Sequence, residues 1–93
     1  MSINANNILI IGLGMIGSSI ALACKSKGIN VKGFDLDKSV YQGALKNNVI
    51  DESVEFLENI NTLEFVSDID LIVIAVPPKQ TLDVINKLDL IWN

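Results

Sequence analysis

The sequence predicts an α/β fold in which helices cover both faces of a parallel β-sheet. Residues 8–11 and 71–76 are continuous apolar runs, which are typical of strands buried on both faces. Apolar residues at helical spacing follow each run, and strands that alternate with helices imply βαβ units with right-handed crossovers. With 93 residues, the chain is expected to form one small domain over residues 1–93.

The first half of the chain predicts two strand–helix units. Residues 8–11 form the first strand, and a helix over residues 16–27 follows, with Gly28 placed to end it. The expected buried face of this helix consists of Ile16, Ile20, Ala23 and Cys24. Residues 29–34 predict the second strand, and Asp37 is placed to cap a second helix over residues 38–47.

The second half begins with the least regular pattern. Residues 53–56 predict a short third strand and residues 61–66 a short helix. The run at 71–76 predicts the next strand, which Pro77 and Pro78 end. A last helix is expected from Pro78 or Lys79 to about residue 88, with Leu82 and Ile85 facing inward.

Composition excludes several classes of function. The net charge is −4 and the sequence contains no arginine, which argues against nucleic acid and anionic membranes as partners. Without histidine, the chain has no His-based zinc site, Ser-His-Asp triad or His general base. A single cysteine, no run of about 18 apolar residues and no basic N-terminal segment together favour a cytoplasmic protein.

Gly12-x-Gly14-x-x-Gly17 follows the first strand and opens a helix, which is the context that gives this motif its meaning. Gly12 allows a tight turn, Gly14 allows a pyrophosphate to approach the backbone, and Gly17 allows the helix to pack closely on the sheet. The N–H groups of residues 13–16 and the helix dipole are then expected to meet the phosphates. The motif predicts a dinucleotide site in a Rossmann-type sheet.

Asp35 ends the second strand, 18 residues after Gly17. A carboxylate there accepts hydrogen bonds from both ribose hydroxyls of the adenosine, and it would repel the 2′-phosphate of NADP. We therefore expect NAD rather than NADP. Val76 and Pro77 leave the fourth strand beside the point where ligands bind, and Thr81 is a further candidate one turn into the next helix. The expected cofactor residues are Gly12, Leu13, Gly14, Met15, Ile16, Gly17, Asp35, Val76 and Pro77.

The expected strand order is 3-2-1-4. A doubly wound dinucleotide domain has about six strands, so we interpret the chain as the first half plus the fourth strand of such a domain, truncated. The strand at residues 71–76 would then be a bare apolar edge, which favours self-association of the chain.

Four segments together resemble the prephenate and arogenate dehydrogenase family. They are residues 10–23 (IIGLGMIGSSIALA), 33–35 (GFD), 49–52 (VIDE) and 67–77 (SDIDLIVIAVP). The resemblance implies an NAD-dependent oxidoreductase of tyrosine biosynthesis that oxidatively decarboxylates prephenate or arogenate. It also implies a catalytic histidine beyond the fifth strand, a serine near that strand and an arginine in a C-terminal helical dimerisation domain. All three are expected to lie outside this chain, so the chain alone is expected to be inactive.

Two alternatives stay open. One is another dehydrogenase of the β-hydroxyacid type, related to 3-hydroxyisobutyrate dehydrogenase or pyrroline-carboxylate reductase. The other is a non-catalytic NAD-binding module.

Overall fold

The computed structural model describes residues 6–53, 69–76 and 78–92, over which strands and helices alternate. The elements are β1 Asn7–Ile11, α1 Met15–Ser26, β2 Asn30–Phe34, α2 Lys38–Lys46, β3 Glu52–Ser53, β4 Leu71–Ile74 and α3 Pro78–Trp92. The predicted strand at residues 53–56 is described only as Glu52–Ser53, and the helix predicted at residues 61–66 lies outside the described residues.

All pairings in the described sheet are parallel, and the strand order is β3-β2-β1-β4. Ile10 on β1 stands opposite Gly33 on β2 and Val73 on β4. Strand β1 is central, and its four apolar residues Ile8–Ile11 are completely buried, as is typical of a strand covered on both faces. The predicted order and the parallel α/β fold are confirmed.

Successive side chains of β1 feed two separate cores, because a strand alternates its faces. Ile8 and Ile10 pack in one cluster with residues of α1 and α2, among them Cys24 and Tyr41. Leu9 and Ile11 pack in the other cluster with Phe34 and with Val84 of α3. Helices therefore lie on both faces of the sheet, as predicted.

The start of α2 and the end of α1 are set by Asp37 and Gly28, as the sequence predicts. The Asp37 carboxylate accepts hydrogen bonds from the Ser39 backbone N–H at 3.0 Å and the Ser39 hydroxyl at 2.7 Å, and so caps α2. These bonds lower the pKa of Asp37. Gly28 adopts φ +77°, while its N–H and that of Ile29 donate to the carbonyls of Lys25 and Cys24. This is a Schellman end of α1.

The predicted faces of two helices are wrong in part. On α1, Ile16 is 71% exposed and Ala23 is also exposed, whereas the buried residues are Gly17, Ala21 and Cys24. Because Gly17 packs directly on the turn before the helix, the inward face starts there and continues at positions 21 and 24.

On α3, Leu82 and Ile85 are 67% and 47% exposed, and Val84 is the inward residue. The helix also continues to Trp92, beyond the predicted end, and β4 ends at Ile74 rather than at residue 76. As the strand at the edge of the described sheet, β4 is only partly covered.

Candidate functional site

The turn from β1 to α1 lies between the ends of β2 and β4. The Gly12 N–H donates to the Phe34 carbonyl at 2.8 Å, and the Ala75 N–H donates to the Ile11 carbonyl at 2.8 Å. Gly12 adopts φ +99°, and a β-carbon there would stand 2.5 Å from the Ala75 carbonyl oxygen. Glycine is therefore required at position 12 by both conformation and space.

Gly17 lets the first turn of α1 lie directly against this turn. A β-carbon at position 17 would overlap the carbonyl oxygen of Gly12 and approach the β-carbon of Ala75 to 3.5 Å. Gly33 on β2 has a related role that the sequence did not reveal. A β-carbon there would lie 2.8 Å from the Ile50 side chain and 3.0 Å from the Leu13 side chain, which is buried beneath the turn. Two glycines thus anchor the turn by allowing close packing.

Gly14 differs from these glycines, because a β-carbon at this position would meet nothing within 4 Å. Gly14 is the N-cap of α1 and offers no side-chain cap. The first backbone bond of the helix joins the Ser18 N–H to the Gly14 carbonyl at 2.9 Å. Within the described part of the chain, the N–H groups of Met15, Ile16 and Gly17 meet no acceptor. Open N–H groups at a helix start, together with the helix dipole, suit a phosphate.

Asp35 is half-buried at the end of β2 and holds two backbone groups. Its Oδ2 accepts from the Leu13 N–H at 2.8 Å, and its Oδ1 accepts from the Asp37 N–H at 2.9 Å. The Leu13 N–H is therefore engaged, whereas the sequence led us to expect it open. Each carboxylate oxygen keeps further acceptor capacity for a ligand hydroxyl.

A cleft of about 330 Å³ opens at the carboxyl ends of β1, β2 and β4. Its apolar side chains include Phe34, Leu36, Val76 and Val84, and its polar ones are Asp35, Asp37 and Gln80. Leu36 is 67% exposed although it is a large apolar residue. An apolar cleft with a few polar groups at this edge of an α/β sheet is a typical ligand site.

The structure brings most of the predicted cofactor residues together. Gly12, Gly14, Asp35 and Val76 line the cleft, and Gly17 and the Leu13 side chain lie beneath the turn. Met15 and Ile16 begin α1 and are 87% and 71% exposed. Pro77 lies outside the described residues.

Several residues that line the cleft were not predicted as cofactor residues, among them Leu36, Gln80 and Val84. The candidate that the sequence offered on α3 is Thr81, which is one position from the lining residue Gln80. The missed signal is the four-residue spacing of Gln80 and Val84, which places both on one helix face.

The profile of one protein family, described as the NAD binding domain of 6-phosphogluconate dehydrogenase, matches residues 7–91. This chain belongs to that family. The geometry fits the cofactor, because the glycine turn leaves room and open N–H groups for phosphates and places the Asp35 carboxylate in the adjoining cleft. It is an NAD-binding domain with a Rossmann-type sheet.

Two curated relatives are prephenate dehydrogenases. The one from Lactococcus lactis is 35% identical over 82 residues, which cover 87% of this chain and 22% of the relative. The one from Bacillus subtilis is 35% identical over 85 residues, which cover 89% of this chain and 22% of the relative. The chain thus spans about a fifth of the relatives' length, and the resemblance seen in the sequence is confirmed over that part.

Solved structures of the same class share the fold. The prephenate dehydrogenase from A. aeolicus, in complex with hydroxyphenyl propionate and NAD+, has a TM-score of 0.81 and 25% identity, covering 98% of this chain and 31% of that one. The arogenate dehydrogenase from Synechocystis has a TM-score of 0.76 and 24% identity, covering 88% of this chain and 27% of that one. In the described ranges we find no helix able to cross a membrane. The same ranges contain no group of three or more potential metal ligands.

Proposed function

We propose that this chain is the NAD-binding part of a dehydrogenase that oxidatively decarboxylates prephenate or arogenate. The observation that carries the proposal is 35% identity to two prephenate dehydrogenases across nearly the whole chain. When bound, NAD accepts the hydride that leaves the substrate ring, while carbon dioxide departs and the ring becomes aromatic. The product is 4-hydroxyphenylpyruvate from prephenate or tyrosine from arogenate, and a biosynthetic role of this kind fits a cytoplasmic protein.

The residues of this chain bind and orient the cofactor. The N–H groups of Met15, Ile16 and Gly17 would hold the pyrophosphate, and a side chain at position 14 would occupy the open space that the pyrophosphate needs. Asp35 accepts hydrogen bonds from the ribose hydroxyls of the adenosine. Val76 follows β4 and lines the cleft, where it would face the nicotinamide side. The sequence assigns Pro77 to the same role.

Asp35 also selects NAD over NADP. A 2′-phosphate about 4 Å from the carboxylate would be repelled by up to about 4 kcal/mol at an effective dielectric constant near 20. Asp37 adds a second negative charge to the same cleft. The chain contains no arginine to offset either charge, and the nearby Lys38 is exposed. This electrostatic difference favours the cofactor without the phosphate.

The choice of substrate depends on residues outside this sequence. The chain contains no histidine and no arginine, so it lacks a His base and an arginine for a substrate carboxylate. The description of the matching family favours a second candidate, a dehydrogenase of the β-hydroxyacid type with another substrate. Assays of the product of the complete open reading frame with prephenate, arogenate and 6-phosphogluconate separate the candidates. The 93-residue chain alone should form no NADH with any of them.

Calorimetric titration with NAD and NADP tests the cofactor assignment. The wild type should bind NAD more tightly than NADP. Gly14→Val should bind neither cofactor, and Asp35→Asn should show a smaller ratio of the affinity for NAD to the affinity for NADP. Asp70→Asn is a matched control, because Asp70 also accepts hydrogen bonds from two backbone N–H groups, those of Asn6 and Asn7, at 2.9 Å each. Asp70 lies at the amino ends of the strands, away from the cleft. Equal wild-type affinity for NAD and NADP would refute the role of Asp35.

A further inference from the structure

We propose that the side-chain amide of Gln80 recognises the hydrogen-bonding edge of the adenine base and so makes the site selective for adenine dinucleotides. This inference rests on the proposed NAD function and adds to it a residue that determines base specificity. It follows from the position of Gln80 in the cleft, from the surfaces around it and from the absence of a hydrogen bond between its amide and any other described residue.

Helix α3 aims Gln80 toward the cleft. Val84, one helical turn later, is 5% exposed and packs with Leu9, Ile11 and Phe34 on one face of the sheet. Residues four apart share a helix face, so burial of Val84 turns Gln80 to the same side. Gln80 is accordingly half-buried and lines the cleft, while Leu82 and Ile85 face away.

The cleft combines charged and apolar side chains. Asp35 and Asp37 provide the charge where we place the ribose. Leu36, Val76 and Val84 provide aliphatic surface in the same cleft. Leu36 directly follows Asp35 and is 67% exposed, which is a large apolar exposure at a ligand cleft. Aliphatic surface in the same cleft as the ribose position suits the faces of a planar base.

Gln80 is the single neutral side chain with both a donor and an acceptor among the described residues that line the cleft. Its amide makes no hydrogen bond to another described residue. The Asp35 oxygens, in contrast, already hold the N–H groups of Leu13 and Asp37. A half-buried amide without a partner gains a bond when a ligand brings complementary groups.

Adenine presents such complementary groups. Its exocyclic amine donates, and a ring nitrogen beside the amine accepts, so one carboxamide can accept from the first and donate to the second. A purine that lacks the amine donor would leave the Gln80 oxygen without its bond. The neutral Gln80 amide would thus select the base, whereas the charged Asp35 carboxylate selects against the 2′-phosphate.

The test compares NAD with its 1,N6-etheno derivative, in which the amine hydrogens are replaced by a fused ring. The dissociation constants of both are measured by calorimetry for the full chain, for Gln80→Leu and for Gln80→Glu. Asn86→Leu makes the same amide-to-leucine change on the exposed side of α3 and is the control. One or two neutral hydrogen bonds correspond to about a three- to tenfold preference for NAD in the wild type.

The preference should fall to about one to twofold in Gln80→Leu and persist in Asn86→Leu. Gln80→Glu, which cannot donate to the ring nitrogen, should lie between them and covers the case in which the leucine variant does not fold. A preference that survives in Gln80→Leu, or in Gln80→Glu at the wild-type value, would overturn the inference, since shape alone would then exclude the larger base. Failure of the wild type to bind NAD would instead contradict the proposed function.

Discussion

Replacing Gly17 by alanine isolates the packing beneath the glycine turn. The new β-carbon would overlap the Gly12 carbonyl oxygen and lie 3.0 Å from the Gly12 carbonyl carbon. These are backbone atoms of a turn held by the bond from the Gly12 N–H to Phe34, so they cannot rotate away as a side chain would. Overpacking costs about 1–3 kcal/mol, and a backbone clash belongs at the upper end. The better helix propensity of alanine offsets about 1 kcal/mol.

The net loss is therefore about 1–2 kcal/mol, which lowers the Tm of a domain of this size by roughly 4–16 °C. Gly43→Ala in α2 is the matched control, because a β-carbon there meets nothing within 4 Å. This variant should gain about 0.5–1 kcal/mol. Urea unfolding followed by far-UV circular dichroism measures both. A Gly17→Ala midpoint equal to or above that of wild type would refute the packing argument.

Three further predictions concern stability, reactivity and association. Hydrogen bonds from Asn6 and Asn7 lower the pKa of Asp70, so the stabilisation is present above about pH 4 and is lost as pH falls through the lowered value. The stability difference between wild type and Asp70→Asn should therefore shrink in acid, and a constant difference in urea titrations from pH 7 to 3 contradicts this. Cys24 is fully buried, which raises the pKa of its thiol, so a disulfide reagent should label it at a rate that rises with urea in parallel with unfolding. We also expect the chain to self-associate weakly through β4, and Leu71→Lys should reduce this association. A sedimentation coefficient that does not change with protein concentration would contradict it.

The fold was predictable where the signals are local. The apolar runs on β1 and β4, the cap at Asp37 and the end at Gly28 depend on residues close in sequence, and each was placed within one or two residues. The inward faces of α1 and α3 were less predictable. Apolarity suggested Ile16, yet Gly17 faces the sheet because close approach favours the smallest residue.

The candidate site divides in the same way. The glycine motif and Asp35 were visible because a short pattern defines them, and the structure gathers Gly12, Gly14 and Asp35 around one cleft. The bond between Asp35 and the Leu13 N–H joins residues 22 positions apart, and no pattern along the chain indicates it. Gln80 was missed because a shift of one residue in helix phase separates it from Thr81.

The Asp35 bonds connect cofactor choice with the shape of the glycine turn. The carboxylate that would repel a 2′-phosphate also accepts the N–H groups of Leu13 and Asp37, one on each oxygen. An asparagine at position 35 offers one acceptor oxygen, and its NH₂ would face an N–H group as a second donor. Hydrogen bonds to charged groups contribute about 1.5–3 kcal/mol, comparable with the repulsion of up to about 4 kcal/mol that the substitution removes. Asp35→Asn should therefore weaken NAD binding more than it improves NADP binding. A change of cofactor specificity from NAD to NADP in this domain therefore needs a second substitution that supplies a new hydrogen-bond acceptor for the Leu13 N–H.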